Sequence, residues 1–203
     1  MKDASSADLK LAIESSLEEA RRTLDVFIAD ANNTAQIGRM ADALAECFRR
    51  GGKVLTCGNG GSACDAMHFA EECTGRFRKD RKALPVIPLL DSSYLTCVSN
   101  DYGFNHVFSR GVEAYGKPED ILLAISTSGN SANVIQAVEA ALKIGMQVHL
   151  FLGKDGGVLK GRGNEEIWVH SQDTERVQEV HMTVLHILIE GLERRMFPEN
   201  YSG

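Results

Sequence analysis

Apolar side chains recur at three- and four-residue steps through the first 51 residues of the chain. One series runs from Asp8 to Ala29 with apolar residues at Leu9, Ile13, Leu17, Leu24, Phe27 and Ile28. A second follows with Ile37, Met40, Ala41, Leu44, Cys47 and Phe48, and it stops at Gly51-Gly52. This spacing puts the apolar residues on one face of a helix, and glycine is a common helix stop. Residues 1–51 are therefore predicted to form a helical pair.

The remainder, residues 52–203, alternates short apolar runs with helical patterns. Strands are predicted at Lys53–Cys57, Leu84–Leu90, Asp120–Ile125, Gln147–Leu152 and Glu165–Val169. Helices are predicted at about Ser62–Arg78, from Ser131 to Ile144, and at Asp173–Arg195, which closes the chain. Pro85 and Pro88 place the second strand at a sheet edge or make it irregular. Alternating strands and helices indicate an α/β fold, with a mostly parallel sheet flanked by helices.

Size and composition fit one soluble domain spanning residues 1–203. Apolar residues make up 43% of the chain and charged residues 25%, and no apolar run approaches the ~20 residues needed to cross a bilayer. The polar N-terminus lacks the pattern of a signal peptide, and the five cysteines include no C-x-x-C pair. We therefore expect a cytoplasmic protein with no membrane association and no disulfide framework.

Charge argues against a nucleic-acid partner. The formal net charge is −6, and the densest basic segment, Arg76–Lys82, is short and is predicted to be a solvated helix end or loop. An acidic chain still binds an anionic substrate where backbone dipoles and a few donors face it. The overall charge therefore does not decide the substrate.

A glycine-rich loop, Gly58–Gly61, follows the first predicted strand and precedes a helix. Ligands collect at such positions in open α/β sheets, and glycine lets the backbone approach them closely. Two other interpretations remain open. Gly58–Ala63 also fits a loose dinucleotide pattern, with Asp91 as a ribose ligand, and the loop could simply pack strand on helix.

A serine-rich loop, Ser126–Ser131, follows another predicted buried strand. Its hydroxyls and the free N–H groups of the next helix form a suitable site for a phosphate monoester. Because no lysine follows as in a Walker loop, one phosphate on a small molecule is favoured over a nucleotide polyphosphate. The alternative is a capped turn without a ligand.

Four further residues could bind a metal. His68 and Glu72 are four residues apart on one helix and so share a face, although such a pair is usually structural. On the closing helix Gln178 and His186 share a face about 12 Å apart along the axis. They could meet one ion only by reaching towards each other or by acting in different subunits. His181 lies in the apolar stripe and is predicted to be a core or interface residue.

Taken together, these motifs resemble those of the bacterial phosphoheptose isomerases of the sugar-isomerase (SIS) fold. The matching segments are Gly58–Ser62, Asp65–Glu72, Ser99–Phe104, Ile125–Ser131 and Val177–His181. The likeness extends from about residue 5 to 195. It implies conversion of sedoheptulose 7-phosphate to D-glycero-D-manno-heptose 7-phosphate, the first step of ADP/GDP-heptose biosynthesis for lipopolysaccharide.

The resemblance also implies specific ligands and partners. It assigns one zinc ion per subunit to His68, Glu72, Gln178 and His186. Substrate contacts are implied for Asn59, Gly60, Gly61, Glu72, Asn100, Asp101, Ser126, Thr127, Ser128, Ser131 and Gln178. A homotetramer with active sites at subunit interfaces is implied as well. Two positions depart from many relatives, which have histidine in place of Ala63 and aspartate in place of Glu175.

Aldose–ketose conversion through a cis-enediol needs a base to move a proton between C1 and C2 and an acid for the oxygens. We assign Glu72 as the base and His186 as the acid. An alternative function is a non-catalytic SIS protein that binds a replication-initiator protein. Relatives of that kind tend to lose the carboxylate and the second histidine, and both are present here. The apolar stripes of the N-terminal and closing helices predict a homo-oligomer.

Overall fold

Two long helices begin the part of the chain described by the computed structural model, which covers residues 6–202. Helix α1 spans Ser6–Ala29 and α2 spans Ala31–Arg49. Asp30 separates them, and its carboxylate caps α2 by accepting a hydrogen bond of 2.9 Å from the Asn32 N–H. The predicted helical pair is confirmed, while its residues 1–5, like residue 203 at the other end of the predicted domain, lie outside the described residues.

A five-stranded parallel sheet follows, as the alternating pattern predicted. Its strands are β1 (Val54–Gly58), β2 (Val86–Pro88), β3 (Ile121–Ser126), β4 (Gln147–Gly153) and β5 (Glu165–Val169). They are ordered β2-β1-β3-β4-β5, and every neighbouring pair is parallel. Strand β2, which follows Pro85 and ends at Pro88, is short and lies at an edge of the sheet. The carboxyl ends of β1 and β3 are adjacent, which brings the glycine-rich and serine-rich loops to the same edge of the sheet.

Five further α-helices follow α2 in the described part of the chain. They are α3 (Gly61–Thr74), α4 (Ser92–Tyr102), α5 (Ser109–Tyr115), α6 (Ala132–Ile144) and α7 (Thr174–Met196). The prediction that α3 continues to Arg78 was wrong, because Gly75 ends the helix. Helix α4 was not predicted, because Val98 is its one buried residue and its apolar periodicity is therefore weak. The carboxylate of Asp91, considered above as a ribose ligand, caps α4 by accepting from the Tyr94 N–H at 2.8 Å.

Both faces of the sheet are buried. Leu123 and Phe151 pack on one face with α2, α3 and α7, whereas Leu122 and Leu150 pack on the other with α5 and α6. This two-sided burial explains why the strands read as continuous apolar runs rather than alternating ones. Among residues 6–202, no helix has the length and apolar character that crossing a membrane requires.

Candidate active site

The glycine-rich and serine-rich loops meet in a cavity of about 250 Å³ at the carboxyl edge of the sheet. It is lined by Asn59, Gly60, Gly61, Ser62, Ile125, Ser126, Thr127, Ser131, Thr174 and Gln178. Seven of the eleven residues predicted to contact substrate are in this lining. Hydroxyl, amide and backbone N–H groups therefore converge on a space suited to a small polar ligand.

Four predicted contact residues lie elsewhere. Ser128 is next to the cavity, with its Oγ accepting from the Asn130 N–H at 3.1 Å. Asn100 and Asp101 are exposed at the end of α4, and the Asn100 amide donates to the Asp101 carboxylate at 2.8 Å. Glu72 is on the fourth turn of α3, in the cluster of charged residues described below.

The start of α3 packs closely against α7. A Cβ on Gly61 would collide with the side-chain amide of Gln178. The Gln178 Nε2 donates to the Ser62 Oγ at 3.4 Å, and Gly60 adopts a φ of 56°, a backbone conformation that favours glycine. The loop therefore holds the first turn of α3 directly against α7.

Asn133, which the sequence did not single out, joins the two loops. Its side-chain amide and that of Asn59 each donate to the other at 2.9 Å. Asn133 is buried, with 2% of its surface exposed, and lies in the first turn of α6. An asparagine near a helix start reads as an ordinary capping residue in sequence, so its long-range partner gave no detectable signal.

A second turn supports the serine-rich loop. Gly129 has a φ of 62°, and any side chain there would collide with the Gly156 carbonyl. The Asn130 Oδ1 accepts from the Val158 N–H at 3.0 Å, and the Gly129 carbonyl accepts from the Leu159 N–H at 3.1 Å. The loop is thus held in place from outside before any ligand binds.

The first turn of α6 faces the cavity. Ser131 is its N-cap residue, but the Ser131 hydroxyl makes no capping hydrogen bond and instead accepts from the Ser126 Oγ at 3.3 Å. The helix dipole and the uncapped N–H groups favour an anion at this position.

His68, Glu72 and His186 form a cluster on α3 and α7, with one ligand atom of each lying within 4.8 Å of the others. Glu72 lies between the two histidines, with Oε1 at 3.3 Å from the His68 Nε2 and Oε2 at 3.7 Å from the His186 Nε2. The Glu72 Oε2 is buried and has no hydrogen-bond partner among the described residues. One carboxylate and two imidazoles around an unsatisfied oxygen fit a divalent cation.

Gln178 and His186 lie on α7 but contact different parts of the site. Gln178 reaches the cavity and Ser62, while His186 reaches the Glu72 carboxylate. Of the four predicted metal ligands, His68, Glu72 and His186 converge. The separation expected along α7 therefore lets one helix serve both the cavity and the charged cluster.

Other titratable groups near the site are buried. The His181 Nε2 lies 3.0 Å from the Leu152 carbonyl oxygen, and burial lowers the pKa of His181 to about 4. This agrees with a core position for His181. Burial raises the pKa of Asp65 to about 6, and its Oδ2 lacks a hydrogen-bond partner within residues 6–202.

The basic segment Arg76–Lys82 is a loop after α3, but the prediction that it is solvated was wrong for Arg81. The Arg81 side chain is 1% exposed and pairs with Glu193 on α7 at 2.8 Å. A count of positive charges does not distinguish a buried guanidinium from a solvated one.

Known proteins resemble this chain both in sequence and in fold. The SIS domain family model matches residues 17–152. A phosphoheptose isomerase of Fusobacterium nucleatum subsp. nucleatum is 57% identical over 86% of this chain and 90% of its own length. The structure of a phosphoheptose isomerase from Neisseria gonorrhoeae matches with a TM-score of 0.82 and 39% identity, covering 91% of this chain and 98% of that one. One from Francisella tularensis matches with a TM-score of 0.83 and 36% identity, covering 94% and 100%.

Proposed function

Because this chain belongs to the SIS-domain family and, within it, to the phosphoheptose isomerases, we propose that it converts sedoheptulose 7-phosphate to D-glycero-D-manno-heptose 7-phosphate. The chain is an aldose–ketose isomerase that acts on a sugar phosphate. The heptose phosphate it makes would then enter ADP/GDP-heptose biosynthesis. The relatives give no support to the alternative of a non-catalytic protein that binds a replication initiator.

The observation that carries this proposal is the position of the Glu72 carboxylate between two imidazoles, on the same two helices, α3 and α7, that also contribute Ser62 and Gln178 to the hydroxyl-lined cavity. The Glu72 side chain is only 15% exposed, which favours a base partly shielded from water. Glu72 takes the proton from C1 of the ketose and returns it to C2, and His186 exchanges protons with the substrate oxygens. The His186 Nε2, 3.7 Å from Glu72, places acid and base on the same side of the site.

The donor set is also the reason to propose a zinc site. His68, Glu72 and His186 would hold the ion, and Gln178 is the fourth ligand that the resemblance implies. Zinc bound there would polarise the carbonyl and stabilise negative charge on the enediolate oxygens. The chain's own groups keep the proton-transfer roles described above.

Phosphate binding is proposed for the serine-rich loop. Ser126, Thr127 and Ser131 line the cavity at the N-terminus of α6, and Ser128 lies beside it. A phosphate there is distant from the reacting carbons, so its binding energy serves to position the sugar. The hydroxyl groups of the sugar are proposed to contact Asn59, Gly60, Gly61, Gln178, Asn100 and Asp101.

The test is product analysis by NMR after the zinc-loaded protein has been incubated with sedoheptulose 7-phosphate in D₂O. We expect D-glycero-D-manno-heptose 7-phosphate that carries deuterium at C2, because the transferred proton exchanges with solvent on Glu72. Inorganic phosphate should inhibit competitively, and sedoheptulose without its phosphate should be a far weaker substrate. A folded, zinc-loaded protein that makes no aldose product would disprove the proposed function.

A further inference from the structure

The loop after α3 follows one face of α7 and contacts it at three successive positions. Phe77 stacks on the His186 ring with centroids 6.0 Å apart and planes 17° apart. Arg78 pairs with Glu190 at 2.7 Å, and Arg81 pairs with Glu193 at 2.8 Å. His186, Glu190 and Glu193 are four and three residues apart, so they share one face of the helix. The loop therefore packs along the face of α7 that carries His186.

Arg81 is also bonded to the end of α3. Its guanidinium donates to the Glu72 carbonyl at 2.6 Å, to the Cys73 carbonyl at 2.7 Å and to the Gly75 carbonyl at 3.1 Å. The last carbonyls of a helix have no partner within the helix, and a cation there also interacts favourably with the helix dipole. One side chain therefore satisfies the C-terminus of the helix on which Glu72 is carried.

The acidic partner of Arg81 is fixed from the other side. Glu193 is fully buried, and its Oε2 accepts from the Tyr201 hydroxyl at 2.7 Å. Tyr201 lies in the short 3₁₀ turn Pro198–Tyr201 after α7. A buried ion pair needs such additional hydrogen bonds because both charges have lost their water. The Arg81 fork, with several donors in one plane, suits this double role, which a lysine could not fill.

We propose that Arg81 is a positioning residue for the reacting groups, one that sets the spacing of Glu72 on α3 and His186 on α7 through Glu193 and Phe77. This inference rests on the proposed function, in which Glu72 and His186 perform the proton transfers and hold zinc. Glu193 is seven residues after His186, about 10 Å along the axis and on nearly the same side of α7. A shift between the helices at Arg81 is therefore transmitted to the 3.7 Å gap between Glu72 and His186.

The test compares Arg81→Lys with wild type in three measurements. They are zinc affinity by competition with a chromophoric chelator, kcat with sedoheptulose 7-phosphate, and the inhibition constant of inorganic phosphate. We expect zinc affinity and kcat each to fall roughly 10- to 100-fold, the range typical of residues that orient metal ligands. The phosphate constant should stay within about 2-fold, because the serine-rich loop does not contact Arg81.

Asp120→Asn is the matched control. The buried carboxylate of Asp120 forms an ion pair with the half-buried Lys53, immediately before β3 and at the opposite edge of the sheet from the site. The Asp120→Asn variant should have a lower unfolding temperature, while its zinc affinity, kcat and phosphate inhibition constant should stay near the wild-type values. The proposal is overturned if Arg81→Lys, like Asp120→Asn, lowers stability without changing zinc affinity or kcat. It is also overturned if Arg81→Lys weakens zinc binding and phosphate binding equally.

Tyr201→Phe decides the matter if Arg81→Lys does not fold. It removes one hydroxyl from Glu193 and should weaken zinc binding in the same direction, by about 3-fold or more. Unchanged zinc affinity in Tyr201→Phe would overturn the proposal. Zinc binding is measured without substrate, so this result stands apart from the proposed function, which fails separately if wild type makes no heptose phosphate.

Discussion

Glu72 and His186 lie on different helices, α3 and α7, yet the Glu72 Oε2 is 3.7 Å from the His186 Nε2. The carboxylate is partly buried and the imidazole is 39% exposed at its side chain, so the pair sits at the boundary between the core and solvent. This is where a proton can pass from a shielded base to a substrate that enters from outside. Removing either member should therefore affect turnover more than folding.

Glu72→Gln should keep the fold and lower kcat by about 100-fold or more, because glutamine preserves the shape but cannot accept the proton. It should also weaken zinc binding, since it removes the charged ligand of the cluster. Steady-state kinetics and chelator competition check both effects. Glu113→Gln is the matched control: Glu113 lies on α5, on the other face of the sheet, its side chain is 55% exposed, and it pairs with Arg110. Near wild-type turnover in Glu72→Gln would remove Glu72 from the mechanism.

Asn59 and Asn133 should be energetically coupled. Each amide donates to the other at 2.9 Å, and Asn133 is buried. Either single change to alanine leaves the remaining amide unpaired, whereas the double change removes both groups. We therefore expect a coupling of about 1–2 kcal/mol in the free energy of unfolding. Urea denaturation of the two single variants and the double variant measures it. Additivity within about 0.3 kcal/mol would show that the pair does not join the two loops.

The fold was largely readable from sequence because periodicity reports burial directly. The strands β1, β3 and β4 are buried on both faces and appear as apolar runs, and α7 shows a full apolar stripe. The segment that forms α4 and α5 could not be read in this way. α4 buries only Val98, so its sequence resembles that of a polar loop.

The site was readable only in part. The loops at the ends of β1 and β3 were found because glycine and serine clusters have a local signature. Asn133 and Arg81 were missed because their roles depend on partners distant in sequence, Asn59 and Glu193 respectively. A spacing rule along one helix cannot reveal a contact between two helices.

Acid should destabilise the protein through His149. Burial lowers the pKa of His149 to about 4 from its ordinary value of 6.5. Between these values the unfolded chain binds a proton at His149 that the folded chain does not, so stability falls as the pH falls from 6.5 towards 4. Through this one residue, the free energy of unfolding should be about 2 kcal/mol lower at pH 5 than at pH 8. His181 should add to the loss in the same window.

His149→Leu isolates the contribution of His149. Neither ring nitrogen of His149 has a hydrogen-bond partner in the part of the chain that the structure describes, so leucine breaks no bond there. The difference in urea midpoint between pH 8 and pH 5 should be smaller in His149→Leu than in wild type. Equal differences in the two proteins would mean that His149 is not protonated on unfolding in this range.

Helix α1 should be an oligomerisation element, because only half of its apolar stripe is used within the chain. Phe27 is buried and Leu24 packs against the core, but Leu9, Ile13 and Leu17 on the same face are 59%, 53% and 68% exposed. An exposed apolar face of this length favours contact with another subunit. We propose that this contact builds the homotetramer, which remains a prediction from the resemblance.

Ile13→Glu combined with Leu17→Glu should therefore give smaller species in light scattering, with the α/β core still folded, since both side chains are more than half exposed in their own chain. If the active site is completed between subunits, zinc affinity and turnover should fall together with assembly. Ser15→Glu, which adds the same charge on the opposite side of α1, should leave the assembly intact. A wild-type protein that is monomeric and fully active at assay concentration would refute both the assembly and its link to activity.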